Sequence, residues 1–202
     1  MNNEIAGILL AAGQSSRFGS QKLTCRLPDS EFTIAEQSAY NLMQALPHSI
    51  AIIREGDQQL NNLLSSTGIT IVENPEADSG ISSSIKCALN YLAQKKGTDS
   101  TLKGYLIALA DMPYITPTII KSLADTLLKG QLLCAPQFEN QRGHPVGFSA
   151  QLKTELLALK GDIGAKPLLD KYKNQLHLIK VDDNGVLFDI DYADDLLTNN
   201  DS

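Results

Sequence analysis

Tryptophan is absent from this 202-residue chain and aromatic residues make up only 5% of it, so packing has to rest on Leu, Ile, Ala and Val. Positive charge is also short. Seventeen Lys and Arg against 23 Asp and Glu leave a formal charge of −6, which argues against broad nucleic-acid binding, a task that needs an excess of cations to displace counterions. A local basic pocket stays possible. Cysteine is sparse: Cys25, Cys87 and Cys134 lie far apart with no metal-type spacing, which predicts free thiols in a reducing, cytoplasmic compartment. No run approaches the roughly 20 apolar residues of a membrane span. The start MNNEIAG lacks the basic region and long apolar stretch of a signal peptide. Neither G-x-x-x-x-G-K-[ST] nor G-x-G-x-x-G occurs near the first strand, so neither a P-loop ATPase nor a dinucleotide fold is supported.

Hydrophobic residues are plentiful at 43%, enough for one large domain with a proper core. They come in two periods. Short β-like runs are expected at Ile5–Leu10, Ser49–Arg54, Ile69–Val72, Tyr105–Leu109, Leu132–Ala135, Val146–Phe148, Leu176–Val181 and Leu187–Ile190. Between them lie helix-period stretches. Ala35, Ala39, Leu42, Met43 and Leu46 share one helical face, opened by a Thr33/Glu36 capping box and closed by Pro47. Asp57 can cap a short helix carrying Leu60, Leu63 and Leu64, and Ile81, Ile85, Ala88, Leu89 and Leu92 form another face. Thr116-Pro117 opens a helix through Leu128; Gln151–Leu159 and part of Ala165–Tyr172 supply more. The alternation predicts one α/β domain, residues 1–197, with a mostly parallel sheet covered on both faces, and a frayed tail at 198–202.

The first strand runs into Gly13-Gln14-Ser15-Ser16-Arg17-Phe18-Gly19-Ser20-Gln21-Lys22. In open parallel sheets ligands bind beyond the carboxyl ends of the strands. Gly13 and Gly19 are expected to allow positive φ and close backbone approach to an anion, with Arg17 and Lys22 neutralising phosphate charge. An ordinary polar turn with solvated charges is the competing reading. Asp111, in Ala110-Asp111-Met112-Pro113, ends the fourth strand on the same rim; it can hold Mg²⁺ or merely cap the following turn. Asp189 and Asp191 alternate with Ile190 and so share a face, while Asp194 and Asp195 begin a last helix. His144 sits between Gly143 and Pro145, as a ligand contact or as a satisfied turn residue. The helix starting near Ser82 can offer N–H groups and hydroxyls to a ribose or phosphate, although simple serine capping explains the same residues.

Taken together, L-x-A-A-G-x-S-S-R-F-G-S-x-K, A-D-M-P, G-H-P-V and D-I-D-x-x-D-D, running in order from Leu9 to Leu196, resemble the MobA-like nucleotidyltransferase family, and within it the molybdenum cofactor cytidylyltransferases of the MocA type. The resemblance implies a single-domain, Rossmann-like three-layer sandwich that transfers CMP from CTP to the terminal phosphate of molybdenum-molybdopterin and releases pyrophosphate. It implies that Gly13, Arg17 and Lys22 grip the triphosphate, with Arg17, Lys22 and Asp111 as the catalytic set. Leu10, Ala11 and Ala12 would meet the base and Ser84 would lie near the nucleotide. Asp111 and Asp191 would hold Mg²⁺, and His144 would help form the acceptor pocket. Relatives that use GTP generally carry L-A-G-G where this chain has Leu10-Ala11-Ala12-Gly13, and the Ala12 methyl takes space a purine needs. Two departures bear on the acceptor. Residues 23–32, LTCRLPDSEF, lack the usual glycine-rich stretch, and Tyr192-Ala193 replaces Thr-Pro. The implied partners are CTP, a molybdopterin-type acceptor and a recipient apo-molybdoenzyme, with no nucleic acid and no membrane. Two other readings are a nucleotidyltransferase for a sugar phosphate or phosphocholine, and a non-catalytic delivery protein.

Overall fold

Strand β1 (Ile5–Leu10) is buried along its whole length. Its side chains alternate between two cores: Ile5 and Leu9 face one, Ala6, Ile8 and Leu10 the other. A strand apolar on both faces can only sit centrally in a covered sheet, and β1 lies between β2 (Ile50–Arg54) and β4 (Gly104–Leu109), parallel to both. The computed structural model describes residues 4–13, 22–28, 30–95, 102–191 and 195. β3 (Thr70–Asn74) extends the sheet beyond β2. With β5 (Leu133–Phe138), β6 (Gln141–Arg142) and β7 (Val146–Ser149), the order runs β3-β2-β1-β4-β7-β5-β6, and β8 (Leu176–Lys180) is parallel to β5.

Three layers result. On one face pack α1 (Ile34–Ala45), α2 (Gln58–Ser66) and α4 (Pro117–Leu128), through Leu42, Leu64 and Leu123 among others. On the other lie α3 (Ile81–Gln94), α5 (Lys153–Leu157) and α6 (Lys166–Lys171), through Leu89, Leu156 and Leu168. The helix starts follow local chemistry. Thr33 and Glu36 close their capping box, Asp57 accepts the Leu60 N–H, and Thr116 accepts that of Ile119 ahead of Pro117. The stretch expected as one helix over 151–159 divides into a 3₁₀ turn, Ala150–Leu152, and α5.

The return from β5 runs against the sheet. Glu139 and Asn140 both take positive φ, +46° and +71°, and turn the chain into β6 (Gln141–Arg142), as a two-residue hairpin with both central residues left-handed does. Gly143-His144-Pro145 separates β6 from β7 (Val146–Ser149), which pairs antiparallel with both β4 and β5. A strand at 187–190 does not form. After a 3₁₀ turn at Asn184–Val186, stabilised by the Asp183 carboxylate accepting the Gly185 N–H, the chain crosses the strand ends instead of joining a ladder. It is held there by single bonds, Val186 C=O to the His144 N–H and Ile190 N–H to the Asp111 carbonyl. The segments 192–194 and 196–202, with the expected last helix and tail, lie outside the described residues.

α3 has no side-chain cap from its own N-terminus. The strap Gly161–Gly164 provides one: Asp162 accepts the Ile81 N–H and the Gly161 carbonyl accepts that of Ser82. Gly80, at φ +90° and ψ 176°, makes this approach possible, because a Cβ there would lie 2.8 Å from the Gly161 backbone. Gly80→Ala is therefore expected to destabilise the protein by about 2–4 kcal/mol, combining backbone strain with a clash that no flexible side chain can relieve. Gly130→Ala, with the same φ but nothing within 4 Å, should cost only about 1–2 kcal/mol. Urea unfolding of the two variants measures the difference.

Candidate active site

The sheet reverses its order between β1 and β4: β2 follows β1 on one side and β4 lies on the other. The crevice at such a reversal is where open α/β sheets bind ligands. Leu10 is in register with Leu109, and the Ala110 N–H bonds the Leu10 carbonyl. Gly13 and Asp111 thus leave the sheet side by side. α1 fixes the second exit, with Ser38 Oγ donating to the Ala110 carbonyl at 2.9 Å and Asn41 Nδ2 to that of Pro113 at 2.9 Å.

Asp111 does not cap a turn with its side chain. Its Oδ2 accepts from the Lys22 ammonium at 2.8 Å, and its Oδ1 is buried with no hydrogen-bond partner among the described residues. Lys22 donates equally to Asp191 Oδ1, at 2.8 Å. The expected alternation holds here without a strand. Ile190 is fully buried, and anchoring a side chain of that size contributes about 1.5–3 kcal/mol, which leaves Asp189 and Asp191 on the same side. Carboxylate oxygens of Asp111, Asp189 and Asp191 lie within 4.8 Å of one another. At that spacing, with an effective dielectric near 20, each like-charged pair repels by about 3 kcal/mol before solvent screening, which favours a cation beside the cluster, and Lys22 is one. Burial alone would lower the Lys22 pKa, but the hydrogen bonds and charges of Asp111 and Asp191 outweigh it and leave it raised. The Asp189 carboxyl is pushed up, by partial desolvation first and then by Asp191 and Asp111, against the pull of its own backbone and of Lys22.

Two clefts meet at this rim. The larger, about 740 Å³, is lined by Leu10, Ala12, Gly13, Ser84 and Asp111 together with Arg54 and Asp78, which pair at 2.7 Å. Gly13 is not left-handed; what it contributes is open space, since a Cβ there would meet nothing within 4 Å. Ala11 is buried and donates its N–H to the Ile52 carbonyl. The Ser84 hydroxyl accepts from Asn74 Nδ2 at 3.1 Å. The expected use of the α3 N-terminus for a phosphate changes, because the Ile81, Ser82 and Ser83 N–H groups are already bonded to Asp162, Gly161 and Gly80. Arg17, with Ser15, Ser16, Gly19 and Ser20, lies outside the described residues.

The smaller cleft, about 230 Å³, shares Leu10, Ile81, Leu109 and Asp162 with the larger. It is apolar inside, with Ile107, Val146 and Phe148, and carries Arg142, His144 and Lys166. His144 Nδ1 is buried without a partner among the described residues. Burial, with the Arg142 charge adding and Asp111 opposing, pushes the imidazole pKa down to about 4, so His144 is neutral near pH 7. Arg54 and Asp162 were not singled out from the sequence. Arg54 ends β2 on the same rim, a placement that strand-end reasoning can find; Asp162 acts across 81 residues and leaves no local signal.

Site and topology together define a nucleotide-handling α/β domain. A model of the MobA-like NTP transferase domain matches residues 7–176, and the chain belongs to that family. It is 25% identical over 195 residues, 95% of this chain and 93% of the relative, to the molybdenum cofactor cytidylyltransferase of Escherichia coli (strain K12). Among solved structures, the Rv0371c homologue of Mycobacterium sp. strain JC1 is 26% identical, with a TM-score of 0.79 over 96% of this chain and 94% of that one. The manganese complex of Rv0371c from Mycobacterium tuberculosis H37Rv has a TM-score of 0.68 at 22% identity, covering 88% of each chain.

The depressed His144 pKa has a consequence for stability. The unfolded chain takes up a proton near pH 6.5 and the folded one only near pH 4, so stability is full above 6.5 and falls as the pH drops toward 4. Between pH 7 and pH 5 the wild type should lose about 2 kcal/mol more than His144→Gln, measured by urea unfolding at the two pH values.

Proposed function

We propose that this protein is a cytidylyltransferase that transfers CMP from CTP to the terminal phosphate of a molybdopterin-type acceptor and releases pyrophosphate. The observation that carries the reading is the carboxylate cluster with Lys22, set where a polar nucleotide-sized cleft meets an apolar one. The cytidylyltransferase relative supports the donor and acceptor. The larger cleft suits CTP, with the base against Leu10–Ala12 and the ribose near Ser84. The smaller cleft suits a heterocyclic acceptor ring, with the neutral His144 as its polar contact. Its interior of Ile107, Val146 and Phe148 suits a ring better than sugar hydroxyls, Arg142 and Lys166 supply charge for the phosphate of either acceptor, and one Phe is a poor cage for choline.

The residues fit a divalent cation. Asp111 Oδ1 is a buried oxygen without a partner, and an all-carboxylate donor set suits hard ions such as Mg²⁺ and Mn²⁺. Asp111 and Asp191 would hold it, and the manganese complex of Rv0371c supports a divalent ion in this fold. When bound, Mg²⁺ would offset triphosphate charge beside the reacting phosphorus. The chain's own residues position the reactants. Arg17, Gly13 and Lys22 grip the triphosphate, and the acceptor cleft aims the phosphate oxygen in line with the α-phosphorus. The new O–P bond forms as the bond to pyrophosphate breaks. The acceptor phosphate is already ionised at neutral pH, so no general base is required. The three free thiols fit a reducing compartment, no helix among the described residues is long and apolar enough to cross a membrane, and the reading places the protein in the cytoplasm, handing product to an apo-molybdoenzyme.

Pyrophosphate release measured with molybdenum-molybdopterin, Mg²⁺ and either CTP or GTP tests this. Release is expected with CTP and to depend on the acceptor; release with GTP alone, or with neither nucleotide, contradicts it. Asp111→Asn should lower kcat by about 10²–10³-fold with the fold intact by circular dichroism, and Ala12→Gly should narrow the preference for CTP over GTP.

A further inference from the structure

Lys22 stands where the carboxylates need positive charge. Its ammonium takes Asp111 Oδ2 and Asp191 Oδ1 at 2.8 Å each, and its side chain is only 11% exposed. Both oxygens belong to the residues assigned above to the divalent ion. An ammonium and a divalent ion on the same two oxygens repel each other at that separation, which opposes their sharing even though each carboxylate oxygen carries two lone pairs. Asp111 Oδ1, buried and unpartnered, gives an incoming ion a first oxygen. Drawing in Asp191 Oδ1 as well sets the ion against the ammonium, and displacing the ammonium removes that repulsion. Lysine suits this exchange: it is a compact point charge on a flexible four-carbon stem, with no fork geometry to lock it onto one carboxylate. Asp111 also lines the larger cleft, so an ammonium leaving it finds the proposed triphosphate position close by.

We propose that Lys22 is the resident counter-cation of the metal site, exchanged for the divalent ion on binding and released toward the triphosphate. This rests on the assignment of Asp111 and Asp191 as metal ligands, and it adds an energetic link between two binding events. In the resting site Lys22 neutralises the carboxylates and weakens their hold on metal. A bound triphosphate draws Lys22 away and strengthens that hold, and by linkage the metal strengthens triphosphate binding by the same factor. The same lysine thus keeps the acidic cluster intact before substrate arrives and makes metal and nucleotide uptake mutually dependent.

The test is Mn²⁺ binding without nucleotide, followed by the electron paramagnetic resonance signal of the free ion. Lys22→Met should bind Mn²⁺ about tenfold or more tightly than the wild type, whereas Lys22→Arg, which keeps the charge and adds a fork that holds a carboxylate, should bind it no more tightly than the wild type. Equal or weaker binding in Lys22→Met overturns the exchange. If in that case Asp111→Asn abolishes Mn²⁺ binding, the metal assignment stands and only the exchange falls; if no variant or wild type binds Mn²⁺ at this cluster, both fall. A second measurement needs no variant. Lysine methylation of the wild type, read by mass spectrometry, should modify Lys22 faster when Mg²⁺ is present, and unchanged or slower labelling overturns the proposal.

Discussion

The parallel pairing of β1 with β4 is the constraint on which the rest of the molecule depends. Six residue pairs in register, from Ile5 with Gly104 to Leu10 with Leu109, bring two segments a hundred residues apart to a common edge. Everything chemical follows from what each strand does on leaving that edge. One opens into Gly13 and the loop toward Lys22; the other delivers Asp111, with its carbonyl tied to Ile190. The late segment then adds Asp189 and Asp191, and the Lys22 ammonium joins segments 89 and 169 residues apart in the sequence. Such a contact is costly to assemble in an unfolded chain and is affordable only because the sheet has already placed its parts.

The two clefts divide the work by polarity. The larger presents backbone, hydroxyl and charged groups; the smaller has a hydrocarbon interior of Ile107, Val146 and Phe148, with a neutral imidazole and the charged Arg142, Lys166 and Asp162 also lining it. A buried ring nitrogen without a partner favours any ligand able to hydrogen-bond it, since leaving it unpaired costs more than the bond itself contributes. The strap at Gly161–Gly164 lines both environments, with Asp162 in each. By capping α3 with Asp162 it uses up the helix N-terminus, and in the proposed function anion binding falls to the basic residues and to the cation site.

The layered fold was legible because its signals are local. The period of Ala35, Ala39, Leu42 and Leu46, the Thr33/Glu36 box and the Asp57 and Thr116 caps all act within a few residues. Asp111 was legible because a carboxylate at a strand end is exposed to the rim by geometry. What escaped acts over distance or lacks its usual local mark. The hairpin at Glu139-Asn140 lacks the glycine that usually marks left-handed turns. Leu187–Ile190 alternates as a strand does, yet its polar backbone is satisfied by isolated bonds across strand ends. Lys22 read as a phosphate ligand from its loop, while its partners in the folded chain are carboxylates that no neighbouring residue announces.

The central claim is that these separated segments form one metal-assisted nucleotide site. Crystals grown with CTP and Mn²⁺, analysed by anomalous scattering, test it most directly. The account predicts manganese bound to Asp111 and Asp191, the triphosphate in the larger cleft, and Lys22 turned from the carboxylates to a phosphate. Manganese elsewhere, or CTP bound with Lys22 still bridging Asp111 and Asp191, would contradict it.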